Sequence, residues 1–427
     1  MHRRSRRAKG AATFVWALVP ATLLSYCCLG STPARGETVA LDIDEAARRA
    51  AEASPVARRA RAQRGSVEAR RVEAGLLLPS NPVASFELGP TRTDGPPKRE
   101  DLGVAARLEQ TIEIAGQRGT RQAEVERAVD AAGARARLAE VEARARGRAA
   151  YVAAQLADAQ LEAARRREAL VTQLEASVRT RVSMGAASDI DLRLATLERG
   201  RIERERHEFV QAAGDALAEL RALLALPPDA TVTLTTALAA PARPLPTLAD
   251  AIARAVERRA DLQALDADRS ELDASIVRLR REAVPSPTLF LDVERDRPGE
   301  TFMRGGLALP LPVWRRQQGA IAIARAEQAR VDVERTLATR EVALQVDQAL
   351  RAATTRGAQV AVNEAAILPS ADEALDLLTQ GWRAGKFDLF RIIQASRESG
   401  DAHRHALEDL GRLWEARIEL DRAMGTP

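Results

Sequence analysis

The stretch Arg181-Val182-Ser183-Met184-Gly185-Ala186-Ala187-Ser188-Asp189-Ile190-Asp191-Leu192 decides the fold once it is set beside Trp382-Arg383-Ala384-Gly385-Lys386-Phe387-Asp388-Leu389-Phe390, 200 residues later. Each has a glycine after a long Ala/Arg/Glu helical pattern, then a capping-type residue, Ser188 or Asp388, before the next apolar run. That is how one helix stops and another starts: glycine takes the left-handed conformation and a short polar side chain caps the next N-terminus. Upstream, Gly119 and Gly319 sit at the same offset, so Gly119 to Gly185 and Gly319 to Gly385 match without a gap. The match continues through Ala195/Ala395, Glu198/Glu398, Gly200/Gly400 and Leu220/Leu420. The chain reads as a duplicated helical hairpin.

The rods are long. Gly116 to Val182 and Gly319 to Trp382 contain no proline except Pro369, and each would span roughly 100 Å at the α-helical rise. Pro369 predicts a kink or local opening of the second rod. Four further helices, Asp42 to Leu78, Ala187 to Leu226, Leu248 to Val284 and Lys386 to Met424, come to about 55 to 60 Å each on the same rise. Two of these end to end match one rod, as in a cylinder wall of continuous and broken helices. Leu262, Leu265, Leu272, Ile276, Leu279 and Ala283 follow a 3/4 spacing, as do Ala145, Ala149, Val152, Leu156, Ala159 and Ala163, which predicts side-by-side packing with alanine seams.

Composition agrees with thin packing. The 427 residues are 46% hydrophobic and 29% charged but only 3% aromatic, so Ala, Leu and Val must form the contacts. Lysine occurs only at Lys9, Lys98 and Lys386, and no nucleic-acid partner is expected from the arginine-rich balance.

Residues 1–36 read as a secretory signal: Arg3, Arg4, Arg6, Arg7 and Lys9 precede the apolar Ala11 to Leu29, and Ala34-Arg35-Gly36 supplies small residues for cleavage. An uncleaved anchor is the alternative. The segment carries six basic and no acidic residues, so its removal takes the formal charge from +4 to −2. It also removes Cys27 and Cys28, the only cysteines; lipidation of either would need a small residue before it, and Tyr26 precedes Cys27. The remainder divides into a first repeat, 37–231, a Pro-rich linker, 232–246, and a second repeat, 247–427.

Between the helices lie two pairs of period-two runs. Ala84, Phe86 and Leu88 alternate with Ser85 and Glu87; Leu102, Val104, Ala106 and Leu108 with Gly103, Arg107 and Glu109. In the second repeat Leu289, Leu291 and Val293 alternate with Asp292 and Glu294, and Met303, Gly305, Leu307, Leu309 and Leu311 continue the pattern around Arg304. Runs of about ten residues suit tilted strands crossing a bilayer with charges toward a wet lumen. A soluble two-hairpin patch is the alternative, and it leaves open sheet edges. Thr91 to Pro97 and Arg295 to Thr301 are the connecting loops. Four strands cannot close a barrel, so two copies giving eight, or three giving twelve, are required.

No enzyme chemistry is expected. The histidines, His2, His207, His403 and His405, form no zinc pattern, and no phosphate loop or nucleophile elbow occurs. No cofactor or metal is expected.

The order of Leu76-Leu77-Leu78-Pro79-Ser80-Asn81-Pro82, strand pair, Gly116-Gln117-Arg118-Gly119, long helix, Met184-Gly185 with Ser188-Asp189-Ile190-Asp191-Leu192, then Leu309-Pro310-Leu311-Pro312-Val313-Trp314, Gln318-Gly319-Ala320-Ile321 and Ala384-Gly385 with Asp388-Leu389 resembles the TolC-type outer-membrane efflux proteins. Its details are most like the branch containing the CzcC subunit of heavy-metal exporters. The resemblance covers nearly the whole chain after the leader. It implies a mainly α fold with a small β part: a homotrimer whose duplicated hairpins form an α-barrel in the periplasm, with four strands per chain in an outer-membrane β-barrel. It further implies a passive duct joined through a periplasmic adaptor to an inner-membrane pump of the RND or ABC type. The glycine turns then become periplasmic tips. Candidate adaptor contacts are Arg181, Met184, Gly185, Ser188, Asp189 and Asp191 in the first tip, and Trp382, Gly385, Lys386, Phe387, Asp388 and Phe390 in the second. Candidate lumen constriction residues are Asp191, Arg391 and Gln394; the last two stand where some members carry an acidic ring. Local reading of the same positions gives helix termination, capping and packing. An exported coiled-coil scaffold, or the adaptor itself, is the rival reading, but an adaptor has one central hairpin and this chain has two.

Overall fold

The computed structural model describes residues 38–93, 99–297 and 300–426. The leader and the tips of both strand-connecting loops lie outside the described residues. Each repeat runs helix pair, strand pair, long rod and return helix. In the first these are α1 (Ile43–Ala53), α2 (Pro55–Ala74), β2 (Val83–Thr93), β3 (Arg99–Thr111), α3 (Gln117–Ser183) and α4 (Asp189–Leu223). In the second they are α5 (Leu248–Arg258), α6 (Ala260–Glu282), β5 (Thr288–Arg297), β6 (Glu300–Ala308), the rod α7 (Gln318–Val362) with α8 (Leu368–Arg383), and α9 (Leu389–Ala423).

Two helices expected to be continuous are broken. At Ser54 (ψ 122°) the backbone turns extended and Pro55 starts α2 at its N1 position, where a missing N–H costs nothing. At Arg259 (ψ 126°) there is no proline. Its guanidinium instead holds Asp261 at 2.7 Å and Gln345 at 2.7 Å. The Gly425 turn packs against the break, with room there for no side chain.

The second rod opens as Pro369 predicts. A π-helical turn, Asn363–Ile367, separates α7 from α8. Proline has no N–H for the carbonyl four residues back, at Ala365, and its ring crowds that carbonyl. The freed turn is pinned by Asn363, whose side-chain amide donates to Asp409 at 3.0 Å.

A small parallel sheet lay unseen in the sequence. β1 (Thr38–Leu41) pairs with β4 (Thr231–Leu234), so the first residues of the stretch assigned as linker are strand. Tyr151 of α3 is fully buried beneath it, donating from its hydroxyl to Leu41 O at 3.1 Å and accepting from Thr236 N at 3.0 Å. Val39, Leu41, Ala46, Ala50, Leu220 and Leu224 complete this core. Alanine permits close approach here: a Cβ at Gly147 would lie 2.6 Å from Ala50 Cβ. α3 is surrounded by α1, α2, α4, α6 and α9. Ala145 and Val152 of the expected seam are buried, whereas Ala149 is exposed.

Strands β2, β3, β5 and β6 form one antiparallel sheet in that order. The ladder ends at Ala308, short of the expected Leu309 and Leu311, because Pro310 and Pro312 have no N–H to donate.

Candidate functional site

Two ends of the molecule carry candidate sites. At one end, register sorts the sheet into two chemically opposite faces. Pairing of Ala84 with Leu108, Phe86 with Ala106, Leu88 with Val104, Leu108 with Leu291, Ala106 with Val293, Leu289 with Leu307 and Val293 with Met303 puts all of these on one face. Phe86 is 80% exposed there and Leu88, Leu108, Leu289, Met303 and Leu307 are exposed too. The other face holds Ser85, Glu87, Arg107, Glu109, Asp292, Glu294 and Arg304. Most of these charges are paired: Arg107 with Glu109 at 2.6 Å, and Arg304 with Asp292 at 3.0 Å and with Glu294. Arg107 also covers the Phe290 ring at 4.4 Å, and that ring lies over Gly306, where any side chain would collide with it. The outer edges of β2 and β6 have no strand beside them among the described residues.

At the opposite end the two glycine turns have the same construction. Gly185 (φ 71°) and Gly385 (φ 73°) are left-handed. Ala186 N donates to Arg181 O and Lys386 N to Gly381 O, both at 2.8 Å, closing the last helical turn. Ser188 and Asp191 form a reciprocal capping box at the start of α4. Asp388 accepts from Arg391 N at 3.0 Å at the start of α9. The Asp191 and Asp388 carboxylates are thus engaged with backbone, while Asp189, Lys386 and Met184 are exposed.

The structure joins the tips to each other. Arg181 donates to Trp382 O at 3.0 Å and Arg383 O at 3.3 Å, with its guanidinium 4.0 Å from the Trp382 ring centroid. Trp382 is only 6% exposed and packs with Leu174, Val178, Ala195, Leu389, Ile392 and Ile393. Phe387 folds back on Gly381, where a Cβ would meet its ring at 2.4 Å, and Arg391 lies 5.8 Å from the same ring. Phe390, Arg391 and Gln394 are exposed.

Sequence reading missed two buried ion clusters above the tips. Glu175 takes Arg199 at 2.7 Å, Arg179 at 2.8 Å and Thr196 at 3.0 Å. Burial works to raise its carboxyl, but these hydrogen bonds and the Arg199 charge prevail and hold it below the ordinary glutamate range. Glu198, 2% exposed, accepts from Arg397 Nε at 3.0 Å and faces Arg167 at 3.7 Å, tying together α3, α4 and α9. Gly400 leaves the space that the Arg167 guanidinium fills. The Gly200/Gly400 and Glu198/Glu398 pairs were the available signals, but repetition alone does not reveal a cross-helix partner.

Among the described residues no group of three His, Cys, Asp or Glu side chains could hold a metal ion, and no described helix is long and apolar enough to cross a membrane.

Comparisons with known proteins agree with this geometry. Residues 251–426 match the model of the outer membrane efflux protein family. The cobalt-zinc-cadmium resistance protein CzcC of Cupriavidus metallidurans is 28% identical over 254 residues, covering 57% of this chain and 58% of that protein's length. Among solved structures, a membrane protein from Pseudomonas aeruginosa superimposes with a TM-score of 0.71 at 17% identity, covering 90% of this chain and 93% of that one. CusC, solved in a study of its folding and transmembrane channel formation, gives 0.69 at 15% identity, covering 90% and 92%. The mainly helical fold with its small sheet is that of outer-membrane efflux channels.

Proposed function

We propose, from the match of residues 251–426 to the outer membrane efflux protein family, that three copies form a passive export duct, each giving four strands to a twelve-stranded outer-membrane barrel and its rods to a periplasmic tunnel. The protein is not an enzyme. The observation that carries the proposal is the sheet: a face apolar through the middle of all four strands, with Gln110 at one end and Arg92, Glu100 and Arg295 at the other, backed by a face bearing the paired charges and bounded by two edges with no strand beside them among the described residues. Closure by β6 of one copy against β2 of the next removes both edges, and a bilayer is the solvent that suits the apolar face.

The family premise extends to a periplasmic adaptor and an inner-membrane pump. The two repeats and the segment between them serve as units of the tunnel wall. At its end the exposed Met184, Asp189, Lys386 and Phe390 are adaptor contacts. Gly185, Ser188, Asp191, Gly385, Phe387 and Asp388 fix the turns that present them, and Arg181 with Trp382 keeps the two tips together. Arg391 and Gln394, exposed on α9, line the constriction with Asp191. Because CzcC is named for resistance to cobalt, zinc and cadmium, those ions are the first cargo to assay, supplied by the pump's energy and not by chemistry in this chain.

Cell fractionation tests the duct. The expected result is a carbonate-resistant outer-membrane protein that migrates as a heat-sensitive oligomer. A carbonate-soluble monomer after export would overturn it in favour of a coiled-coil scaffold.

A further inference from the structure

We propose that the β6–α7 junction, Leu309 to Arg316, is a phospholipid anchor at the tunnel-side surface of the membrane, with Leu311, Val313 and Trp314 at the acyl boundary and Arg315 and Arg316 on anionic headgroups. This rests on reading the sheet as a barrel wall.

The first observation is parity. Met303, Gly305 and Leu307 lie on the apolar face by register with Val293, Leu291 and Leu289. Beyond the last ladder pair the same odd positions continue as Leu309, Leu311 and Val313, followed by Trp314. Pro310 and Pro312 remove two successive N–H donors from one side of this stretch, and the described ladder ends before it. It therefore leaves the sheet on the lipid side without being consumed in pairing.

The second is exposure. Trp314 is 84% exposed and Leu311 75%, the indole being the largest side chain left uncovered at that end. An indole belongs at a membrane–water boundary, where its ring is buried and its N–H stays wet. The backbone holds it there: Gln318 Nε2 donates to Trp314 O at 2.7 Å, Arg316 N to Gln318 Oε1 at 2.6 Å, and Arg316 Nε to Pro312 O at 2.9 Å. An open recess of about 870 Å³ between this loop and the end of α6, at Glu282, Ala283 and Pro285, is lined by Arg315. The acid that lines it, Glu282, is already paired with Arg278 at 2.7 Å.

The third is the contrast with the first repeat. There the equivalent positions carry Ala115 and Gly116 where the second repeat has Arg315 and Arg316. Ile114, at the position of Trp314, is exposed as well, but the charged and polar groups of that junction are engaged within the chain: Glu113 pairs with Arg121, Arg118 donates to Gly75 O at 2.8 Å, Gln117 is buried, and Ile112 N donates to Pro287 O at 2.8 Å. The second junction presents an indole, further apolar side chains and two adjacent arginines together outward, which is the pattern an anionic phospholipid surface attracts.

The test reconstitutes the full chain in phosphatidylcholine vesicles holding equal mole fractions of either brominated phosphatidylcholine or brominated phosphatidylglycerol. Quenching is read as the difference between wild type and Trp314→Phe. Expected is quenching that requires Trp314, with the anionic lipid favoured by roughly fivefold for each arginine. The double variant Arg315→Gln/Arg316→Gln should lose that preference and still give the heat-sensitive oligomer. A floated, oligomeric protein whose quenching is the same with and without Trp314 overturns the anchor, because a neighbouring copy then covers the indole. Equal quenching by the two lipids overturns the headgroup role. Protein that does not float with vesicles sinks the barrel reading itself.

Discussion

Helix α3 and the α7–α8 rod have the same number of residues between their marker glycines, yet one is continuous for 67 residues and the other is interrupted by a π-helical turn. α3 lies inside the chain, packed by α1, α2, α4, α6 and α9, whereas α7 touches mainly α5, α6 and α9 and leaves Val333, Leu337, Leu344 and Val362 exposed. The difference teaches that a duplicated sequence need not give duplicated rigidity. Pro369 opens the second rod, and no proline interrupts α3, which is also packed on more sides along its length.

The sharpest way to break the comparison is at glycines. Gly147→Leu on α3 should cost about 3 kcal/mol, because a Cβ would already lie 2.9 Å from Ala46 O, an atom of the backbone. Gly357 on α7 has nothing nearer than Leu413 at 3.9 Å, so Gly357→Ala should instead gain about 0.5–1 kcal/mol. Denaturant midpoints of the two variants check both signs. Next, Glu198→Ala should cost about 1–3 kcal/mol by leaving Arg167 and Arg397 without their shared acceptor, and the same midpoints report it. On the second rod, Pro369→Ala restores an N–H for Ala365 O. Amide exchange across Asn363–Ile367 should slow by roughly fivefold, one net hydrogen bond. Unchanged exchange would show that the Asn363–Asp409 bond, not proline, sets the turn.

The smallest effect is a pH dependence where α6 lies on α3. Burial raises the Glu271 carboxyl, and Asp268 and Glu124 nearby push the same way against Arg135 and Arg70. A folded-state value above the unfolded one means that the ionised carboxyl opposes folding at neutral pH. Glu271→Gln should therefore stabilise at pH 7, the gain disappearing as pH falls through the folded-state value to below about 4.3, where both states hold the proton. Thermal unfolding of both proteins across that range measures it.

The turns and the duplication were legible because Gly185 and Gly385 must be left-handed and few residues substitute there. The sheet was legible because the middle of each strand alternates, with apolar residues at every second position. Pro369 marked a break that was read; Pro55 marked another that was passed over, because proline is also accommodated at a helix start; and Arg259 marked none, since its extended backbone is held by Asp261 and Gln345, and Gln345 is 86 residues away. β1 and β4 are four residues each and meet across nearly the whole first repeat, too short and too distant for periodicity to find. At the tips the turns were visible and the Arg181–Trp382 contact was not, because it depends on how two rods lie against each other.

One outcome of the π-helical turn concerns reach. It gathers an additional residue into a helix without the usual axial advance, so the second rod is shorter than the first by roughly one residue's rise, about 1.5 Å. In the proposed duct, where such hairpins would alternate around a ring, that difference would step the rim at Gly185 and Gly385 instead of leaving it level, and a cap would have to match a crenellated outline.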